Sequence, residues 1–302
     1  MNPSVFNSQR LTRFVMESLQ ERGWALVPAP HGGITGLRKL SEQLSLEVLP
    51  SIGRQVYQAP FPGGTLHHAP CGQKEVLGHS ERAYRPILPM PDLCIFAALR
   101  SIPVHLGGQL TLVDGESMLW HLPSSLEMRL RREGVVYEME WGKERWQSEF
   151  GLDHRDDLEM LLSTCPQLSY QWKGEILSLL WRQSPLRRSW SSGREAFANG
   201  MLAHLASLPA GVDNAGQIYC HASNGISWGG GGPFADRELV EIIKAHQRCM
   251  HILTLAPKEM VVIDNTRVMH GRKASAVAVG DELVCRFGRL TKPAPAERSR
   301  WC

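Results

Sequence analysis

Apolar residues recur at helical spacing near the start of the chain. Between residues 9 and 22 they form one stripe, and Gly23 follows directly after it, so we expect a helix that ends before this glycine. A second stripe predicts another helix over residues 34–48. The short apolar run WALV (24–27), which lies between the two stripes, favours a strand.

Short apolar runs elsewhere in the chain predict buried strands. Such runs are too short for ordinary helices, and their apolar residues follow one another with few interruptions. The predicted strands are LCIFAAL (93–99), LTLV (110–113), MVVID (260–264) and ELVCRFGRL (282–290).

The middle of the chain has a different character. Its predicted elements are helices over residues 124–132, 155–163 and 193–207, and a strand at VVYEMEW (135–141), where apolar and polar residues alternate. We interpret the segment from roughly 120 to 235 as a helical insertion. After it, a helix is predicted to begin at Asp236, as a plausible N-cap, and to run to about Met250.

Predicted strands lie near both ends of the chain, and the insertion separates them. A β-core assembled from strands so distant in sequence is typical of a jelly roll. We therefore predict an α+β fold: a double-stranded β-helix (jelly roll) core with flanking helices and a helical insertion. A generic α+β sandwich is the alternative that periodicity leaves open. Because no linker-like segment interrupts the chain, residues 1–302 are predicted to form a single domain.

Composition and charge narrow the range of functions. Hydrophobic residues make up 43% of the chain and charged residues 21%, which is ordinary for a soluble globular protein. The net charge of +3 gives no electrostatic footprint for nucleic acid. No apolar window is long enough to cross a membrane or to act as a signal peptide. The seven cysteines form no C-x-x-C pair, which favours a reducing cytoplasm.

The segment LGHSERAYRP (77–86) places an imidazole and a carboxylate two residues apart. In a strand, His79 and Glu81 would point to the same face and could both bind one metal ion. The chain has 12 histidines and 30 acidic residues, so a pair with this spacing also arises by chance. A solvated strand face is therefore the alternative interpretation.

A third candidate ligand lies near the other end of the chain. In VVIDNTRVMHGRK (261–273), a buried strand leads through a turn to His270. Two imidazoles and one carboxylate, with the remaining positions open, are typical of non-haem Fe(II) oxygenases. Thiolates would favour zinc or iron–sulfur chemistry, and no cysteine lies beside these motifs. The separation of 189 positions (270 minus 81) between Glu81 and His270 fits a core built from both ends of the chain.

Four motifs follow one another along the chain: H-x-E, IFAALRSIPVHLGGQLTLVDG, VVIDNTRVMHGR and the arginine-bearing strand CRFGRL. In this order they resemble the Fe(II)/2-oxoglutarate-dependent oxygenases of the taurine dioxygenase and clavaminate synthase group. The resemblance extends over roughly residues 20–290, and its most specific part is N-x-R-x-x-H-G-R, Asn265 to Arg272. It implies an enzyme that couples decarboxylation of 2-oxoglutarate to succinate with oxidation of an unactivated C–H bond by O2. Hydroxylation is the default outcome.

The resemblance also implies roles for individual residues. His79, Glu81 and His270 would bind Fe(II). An arginine on the strand after His270 would bind the far carboxylate of 2-oxoglutarate through its bidentate fork. Arg286 and Arg289 both lie there, on opposite faces of the predicted strand. We prefer Arg286 because its offset of 16 positions from His270 is near the family's usual one.

A threonine of the family helps to hold 2-oxoglutarate. Its usual place is occupied by Leu110 in this chain, and Thr111 follows directly. Thr111 is therefore the candidate for this contact. The family often has a second arginine four positions after the first, and Leu290 stands there in this chain.

Three residues are candidates for contact with the substrate. Asn199, in FAN, resembles an active-site asparagine of amino-acid hydroxylases in the group, and a helix surface is its alternative interpretation. His68 lies in a Gly/Pro-rich segment that could line the mouth of the site or form an exposed loop. Arg289 is the third candidate.

The type of reaction follows partly from Glu81. Halogenating members of the wider superfamily have a small residue in its place, so the carboxylate argues against halogenation, whereas desaturation and cyclisation use the same metal site. We expect a small-molecule substrate, either an amino acid or a secondary-metabolite intermediate, free or tethered to a carrier protein. The alternative is a zinc-binding jelly roll that is not an oxygenase, against which the arginine at position 286 argues.

Overall fold

The computed structural model of the chain describes residues 8–29, 33–49, 67–68, 73–83, 85–101, 103–206, 211–212, 218–219, 225–276 and 283–291. All strand pairs among these residues are antiparallel. The described residues contain no helix with the length and apolar character needed to span a membrane.

The helices of the described part are α1 (Ser8–Arg22), α2 (Gly33–Gln43), α3 (Gly115–His121), α4 (Ser124–Glu133), α5 (Lys143–Phe150), α6 (Arg155–Leu162), α7 (Met201–Ala206) and α8 (Asp236–Arg248). The predictions of α1 and α8 are confirmed within two residues at each end. The predicted helix over 34–48 is too long. Ser45 adopts a positive φ of 52°, which breaks the helix, and the chain continues as a strand.

The strands are β1 (Trp24–Pro28), β2 (Leu46–Val48), β3 (His67–His68), β4 (Val76–His79), β5 (Leu93–Ala98), β6 (Leu110–Asp114), β7 (Val135–Trp141), β8 (Leu168–Lys173), β9 (Ile176–Gln183), β10 (Leu186–Arg188), β11 (Glu195–Phe197), β12 (Gly211–Val212), β13 (Ile218–Tyr219), β14 (Ile226–Trp228), β15 (Met250–Leu253), β16 (Glu259–Asp264), β17 (Val268–Arg272) and β18 (Leu283–Leu290). The four buried strands predicted from apolar runs are confirmed as β5, β6, β16 and β18. Together with the helices they confirm the α+β class.

Two sheets form the centre of the fold. The first sheet has the strand order β1-β16-β5-β18-β2, with β3 also paired to β18, and the second has the order β15-β6-β17-β4. One apolar cluster combines residues of both sheets, which shows that they pack face to face. Its buried members are Cys94, Phe96, Ala98, Leu110, Leu112, Leu255, Val261, Ile263, Val268, Leu283, Cys285 and Phe287.

Side chains of the first sheet alternate between this cluster and a second one. Along β5, Cys94 and Phe96 point to the second sheet, whereas Ile95 packs against α1 and α2. We call the side toward the second sheet the inner face. Along β18 the odd-numbered positions lie on the inner face, and the even-numbered positions lie on the helix side. The members that show this are Leu283, Cys285 and Phe287 on the inner face, and Val284 and Leu290 on the helix side.

The insertion is not mainly helical, contrary to the prediction. It contains an antiparallel sheet of order β14-β7-β9-β8, which packs with α4, α5 and α6 into a third apolar cluster. Val113 and Met269 of the second sheet belong to the same cluster, so the insertion covers the outer side of that sheet. The predicted helix over 193–207 is in fact β11 followed by α7. Asn199 separates the two elements by accepting the N–H of Met201 through its amide oxygen.

A buried ion pair joins the second sheet to the first helix. Arg267, which is 3% exposed, donates from Nε to Oδ1 of Asp114 at 2.9 Å. The same guanidinium donates to the carbonyls of Gln20 and Glu21 near the end of α1. Burial alone would raise the pKa of Asp114, but hydrogen bonds from Arg267 and Ser117 outweigh it and lower the pKa.

This pair predicts a pH-dependent contribution to stability. Because the folded pKa of Asp114 lies below its unfolded value, the contribution is present above the unfolded pKa of about 3.9 and is lost as the pH falls through the folded pKa. Asp114→Asn should lower the free energy of unfolding at pH 7 by about 1–3 kcal/mol. Urea unfolding should show that wild type and variant converge in acid. Glu140→Gln, in an exposed ion pair with Lys173, is the control and should change the free energy of unfolding little. Equal effects of the two substitutions would contradict the assignment of this stability contribution to Asp114.

Candidate metal centre

His79 is the last residue of β4, and Glu81 lies in the turn that follows. The prediction that both side chains belong to one strand is therefore wrong. The chain turns sharply after Glu81, because Arg82 adopts a positive φ of 61°. The carboxylate of Glu81 nevertheless comes to lie beside the imidazole of His79.

His270 approaches the same point from a neighbouring strand. β17 pairs with β4 so that His270 lies directly opposite His79, and partners in a ladder point to the same face. The centroids of the two rings are 4.5 Å apart, and Nε2 of His270 is 3.7 Å from Oε2 of Glu81. The candidate ligand atoms of the three residues lie within 4.8 Å of one another, so one ion can bind all three.

The environment keeps both imidazoles suitable as metal ligands. Burial, together with the neighbouring His79, holds the pKa of His270 well below its usual range, so this ring is neutral. His79 donates from Nδ1 to the carbonyl of Leu77 at 3.1 Å, which leaves the lone pair on Nε2. Two neutral nitrogen donors and one carboxylate are a ligand set that suits Fe(II).

Asn265 holds the turn that carries Glu81. Its side chain is completely buried. Oδ1 accepts the N–H of Glu81 at 2.7 Å, and Nδ2 donates to the carbonyls of Glu81 at 3.2 Å and Pro91 at 3.0 Å. The residue belongs to the N-x-R-x-x-H-G-R motif, but no pattern in the sequence indicated that its amide would bind the turn that carries Glu81.

The structure separates the two candidate arginines of β18. Arg286 occupies an even-numbered position on the helix side, where burial lowers its pKa and Arg38 and Glu42 of α2 are its charged neighbours. The preference for Arg286 as the 2-oxoglutarate ligand is therefore wrong, because the sheet lies between it and the three candidate ligands. Arg289 occupies the inner face, and its Nε donates to the carbonyl of Met90 at 3.4 Å.

Thr111 also lies on the wrong side of its strand. Leu112 is the cross-strand partner of His270, and Thr111 is the partner of Gly271. Since neighbouring residues of a strand point to opposite faces, Thr111 points away from His270 and toward the insertion. The prediction that Thr111 contacts 2-oxoglutarate is therefore wrong, and Leu110 takes the corresponding inner position.

The two other substrate candidates have different outcomes. Asn199 is buried, and its amide donates to the carbonyl of Pro185 and accepts the N–H of Met201. Its backbone carbonyl accepts the N–H of Ser80, between His79 and Glu81. These bonds give Asn199 a structural role, so its prediction as a substrate contact is corrected. The backbone of His68 pairs with Val284, and its side chain lies outside the described part, so this prediction stays open.

Two histidines and one carboxylate converge between two antiparallel sheets, an arrangement that is typical of non-haem Fe(II) oxygenases. The sequence profile of the family described as "Taurine catabolism dioxygenase TauD, TfdA family" matches residues 3–285, and the chain belongs to this family. The resemblance seen in the sequence is thus confirmed. The chain is accordingly an Fe(II)/2-oxoglutarate-dependent dioxygenase that uses O2 as co-substrate.

Solved structures share the fold at low sequence identity. A taurine dioxygenase from Burkholderia xenovorans has a TM-score of 0.54 and 12% identity, with 98% of this chain and 84% of that chain covered. PvcB from Pseudomonas aeruginosa has a TM-score of 0.53 and 12% identity, with 95% and 83% covered. AAD-2 in complex with Mn(II) and N-oxalylglycine has a TM-score of 0.52 and 13% identity, with 94% and 88% covered. No curated protein matches the chain in sequence.

The contacts of Asn265 predict a strong effect of its substitution. Asn265→Ala would remove the hydrogen-bond partner of three backbone groups at Glu81 and Pro91, and a buried group left unpaired costs about 1–3 kcal/mol. We expect a lower melting temperature and weaker binding of Fe(II) or Mn(II), measured by calorimetry. Gln171→Ala, on an exposed position of β8, is the control. Metal affinity equal to that of wild type would show that the turn does not depend on Asn265.

Proposed function

We propose that this protein oxidises an unactivated C–H bond of a small molecule, by hydroxylation, at an Fe(II) site formed by His79, Glu81 and His270. The observation that carries the proposal is the convergence of these three donor groups within 4.8 Å in a chain of the TauD/TfdA family. Bound Fe(II) and 2-oxoglutarate supply the oxidising chemistry, in which O2 is reduced and 2-oxoglutarate becomes succinate and CO2. The protein supplies ligands, orientation and a shielded site.

The ligands have separate tasks. The two neutral imidazoles bind the ion without adding charge, and the carboxylate of Glu81 neutralises part of its charge. Three groups of the described residues converge here, so an ion that they bind would keep positions for the two oxygen donors of the co-substrate and for O2. Glu81 keeps the third protein position occupied, and this supports hydroxylation, desaturation or cyclisation rather than halogenation. Hydroxylation is the simplest of the three and is our proposal.

Arg289 is our proposed ligand for the far carboxylate of 2-oxoglutarate. It lies on the inner face of β18, the face that carries Cys285, whose high pKa reflects burial and the nearby charge of Glu81. Arg82 is 5% exposed. Burial and the neighbouring Arg85 and Arg289 lower the pKa of Arg82, and they outweigh the charge of Glu81, which raises it. A group of arginines beside the ligand turn creates a positive potential that suits a dianionic co-substrate.

The strand arrangement supports the jelly roll as the detailed form of the fold. Strands from both ends of the chain alternate in each central sheet: β5 lies between β16 and β18, and β17 lies between β4 and β6. Such interleaving of sequence-distant strands is typical of a double-stranded β-helix. We propose this core for residues 1–302 as a single domain, with the insertion on the outer side of the second sheet.

The substrate is proposed as an amino acid or an intermediate of secondary metabolism. One related structure is described as that of PvcB, an Fe, alpha-ketoglutarate-dependent oxygenase from an isonitrile synthetic pathway, which supports small-molecule chemistry. Succinate release measured across free and carrier-tethered amino acids would identify the substrate and its form. The described cysteines, Cys94, Cys165, Cys249 and Cys285, are all free thiols, which supports a reducing cytoplasmic location.

The metal site predicts a spectroscopic signal. Anaerobic addition of Fe(II) and 2-oxoglutarate to the apoprotein should produce a visible metal-to-ligand charge-transfer band. His270→Ala should abolish the band, because it removes one of the three ligands. His251→Ala, on the exposed side of β15, is the matched control and should keep it. Tight zinc binding without a band after iron addition would instead favour the non-oxygenase alternative.

The two arginines of β18 provide a paired test. Arg289→Lys keeps the charge but loses the planar fork, so affinity for 2-oxoglutarate should fall by about 1.5–3 kcal/mol, the typical contribution of a hydrogen bond to a charged group. Arg286→Lys should have a much smaller effect. Titration of the charge-transfer band with 2-oxoglutarate measures both affinities. A larger effect at position 286 would mean that β18 presents its other face to the co-substrate.

A further inference from the structure

A β-bulge lies directly before the ligand His79. Val76 of β4 is paired with Arg272, and His79 is paired with His270, so Leu77 and Gly78 together oppose the single residue Gly271. A bulge of this kind removes one residue from the regular ladder and re-aims the side chains beside it. The N–H of Gly78 therefore needs a partner other than the backbone of β17.

His246 provides that partner. It lies in the last turn of α8, its side chain is 2% exposed, and its Nε2 accepts the N–H of Gly78 at 3.0 Å. A Cβ at position 78 would lie 2.6 Å from this Nε2, so only glycine allows the close approach. Residues Leu239, Ile242 and Ala245 anchor α8 in the apolar cluster of the insertion, which holds the imidazole in place.

The bulge peptide links this imidazole to the metal ligand. The carbonyl of Leu77 accepts Nδ1–H of His79 at 3.1 Å, and the N–H of Gly78 donates to His246. Both groups belong to the one planar peptide between Leu77 and Gly78, where the C=O and the N–H point in opposite directions. A bond that fixes the N–H therefore also fixes the carbonyl that orients the ring of His79.

Only a neutral ring can accept this hydrogen bond. Burial lowers the pKa of His246 to about 4. Two smaller contributions come from nearby charges: Glu75 raises this pKa and Lys273 lowers it. The proton of the neutral ring then resides on Nδ1, and Nε2 is the acceptor. Hydrogen bonds in such a chain also polarise one another, so acceptance at Gly78 makes the carbonyl of Leu77 a better acceptor for His79.

We propose that His246 is a positioning residue for the metal ligand His79, acting through the Leu77–Gly78 peptide. The inference rests on the proposed metal site, because it assigns His246 a purpose only if His79 binds an ion. Groups that orient a metal-bound histidine typically contribute about 10- to 100-fold to metal affinity. His246 lies on a helix distant in sequence from all three ligands and shares no motif with them.

The test compares two substitutions of His246. His246→Leu keeps apolar volume but removes the acceptor, and the dissociation constant for Fe(II) or Mn(II), measured anaerobically on the apoprotein, should rise about 10-fold or more. His246→Gln places Oε1 near the position of Nε2 and should restore most of the affinity. Ile242→Ala, in the same helix, is the control for packing: it should lower the melting temperature with metal affinity nearly unchanged.

Nitrogen-15 NMR of histidine-labelled apoprotein gives a readout that packing alone would not change. In wild type, Nδ1 of His79 should carry a proton that is donated to Leu77, the proton of His246 should reside on Nδ1, and His246→Leu should shift the tautomer balance of His79. Unchanged His79 signals and metal affinity in His246→Leu would overturn the inference, as would a proton on Nε2 of His246 in wild type. If wild type binds no metal at all, the proposed function fails, and the inference fails with it.

Discussion

The candidate metal centre depends on the pairing of β4 with β17, which places His79 directly opposite His270. A slip of one residue would move one imidazole to the other side of the sheet. A slip would bring a residue with a side chain to the place of Gly271. A Cβ at that place would lie 2.3 Å from the carbonyl oxygen of Val76, so this close contact opposes the slip. The register of the two strands is therefore set by backbone sterics as well as by the apolar pattern. Both imidazoles point to the inner face for this reason.

The three candidate ligands could be predicted from sequence because the evidence for them is chemical. A histidine–carboxylate pair and a distant histidine within a specific motif are recognisable without knowledge of packing. The backbone structure that brings these residues together could not be predicted in the same way. Glu81 reaches the candidate site from a turn, and the sharp bend at Arg82 that makes this possible leaves no periodic signal in the sequence. The convergence of the three residues was thus predicted correctly, although the local structure that unites them was not.

Errors in the sequence interpretation arose where one face of a strand had to be chosen. Alternation shows that Arg286 and Arg289 point in opposite directions, but which side faces the second sheet depends on where α2 packs. That is a long-range property, and offsets from His270 do not encode it. Except for β7, which was predicted, the strands of the insertion were missed for a related reason. In β9 buried and exposed positions alternate, but apolar residues such as Leu180 also occupy the exposed positions, which obscures the period-two pattern.

The turn between β16 and β17 contains the first two polar residues of the N-x-R-x-x-H-G-R motif, and each of them binds a different part of the chain. Asp264 is completely buried and accepts hydrogen bonds from Ser189 and Ser191, which attaches this part of the insertion. Asn265 holds the Glu81 turn, and Arg267 binds the end of α1 and Asp114. Three residues further on, β17 presents His270 to the inner face. One short turn therefore connects the first helix, the insertion and the segment that carries Glu81. Within N-x-R-x-x-H-G-R, His270 is the proposed metal ligand, and Asn265 and Arg267 serve mainly to assemble distant parts of the chain around it.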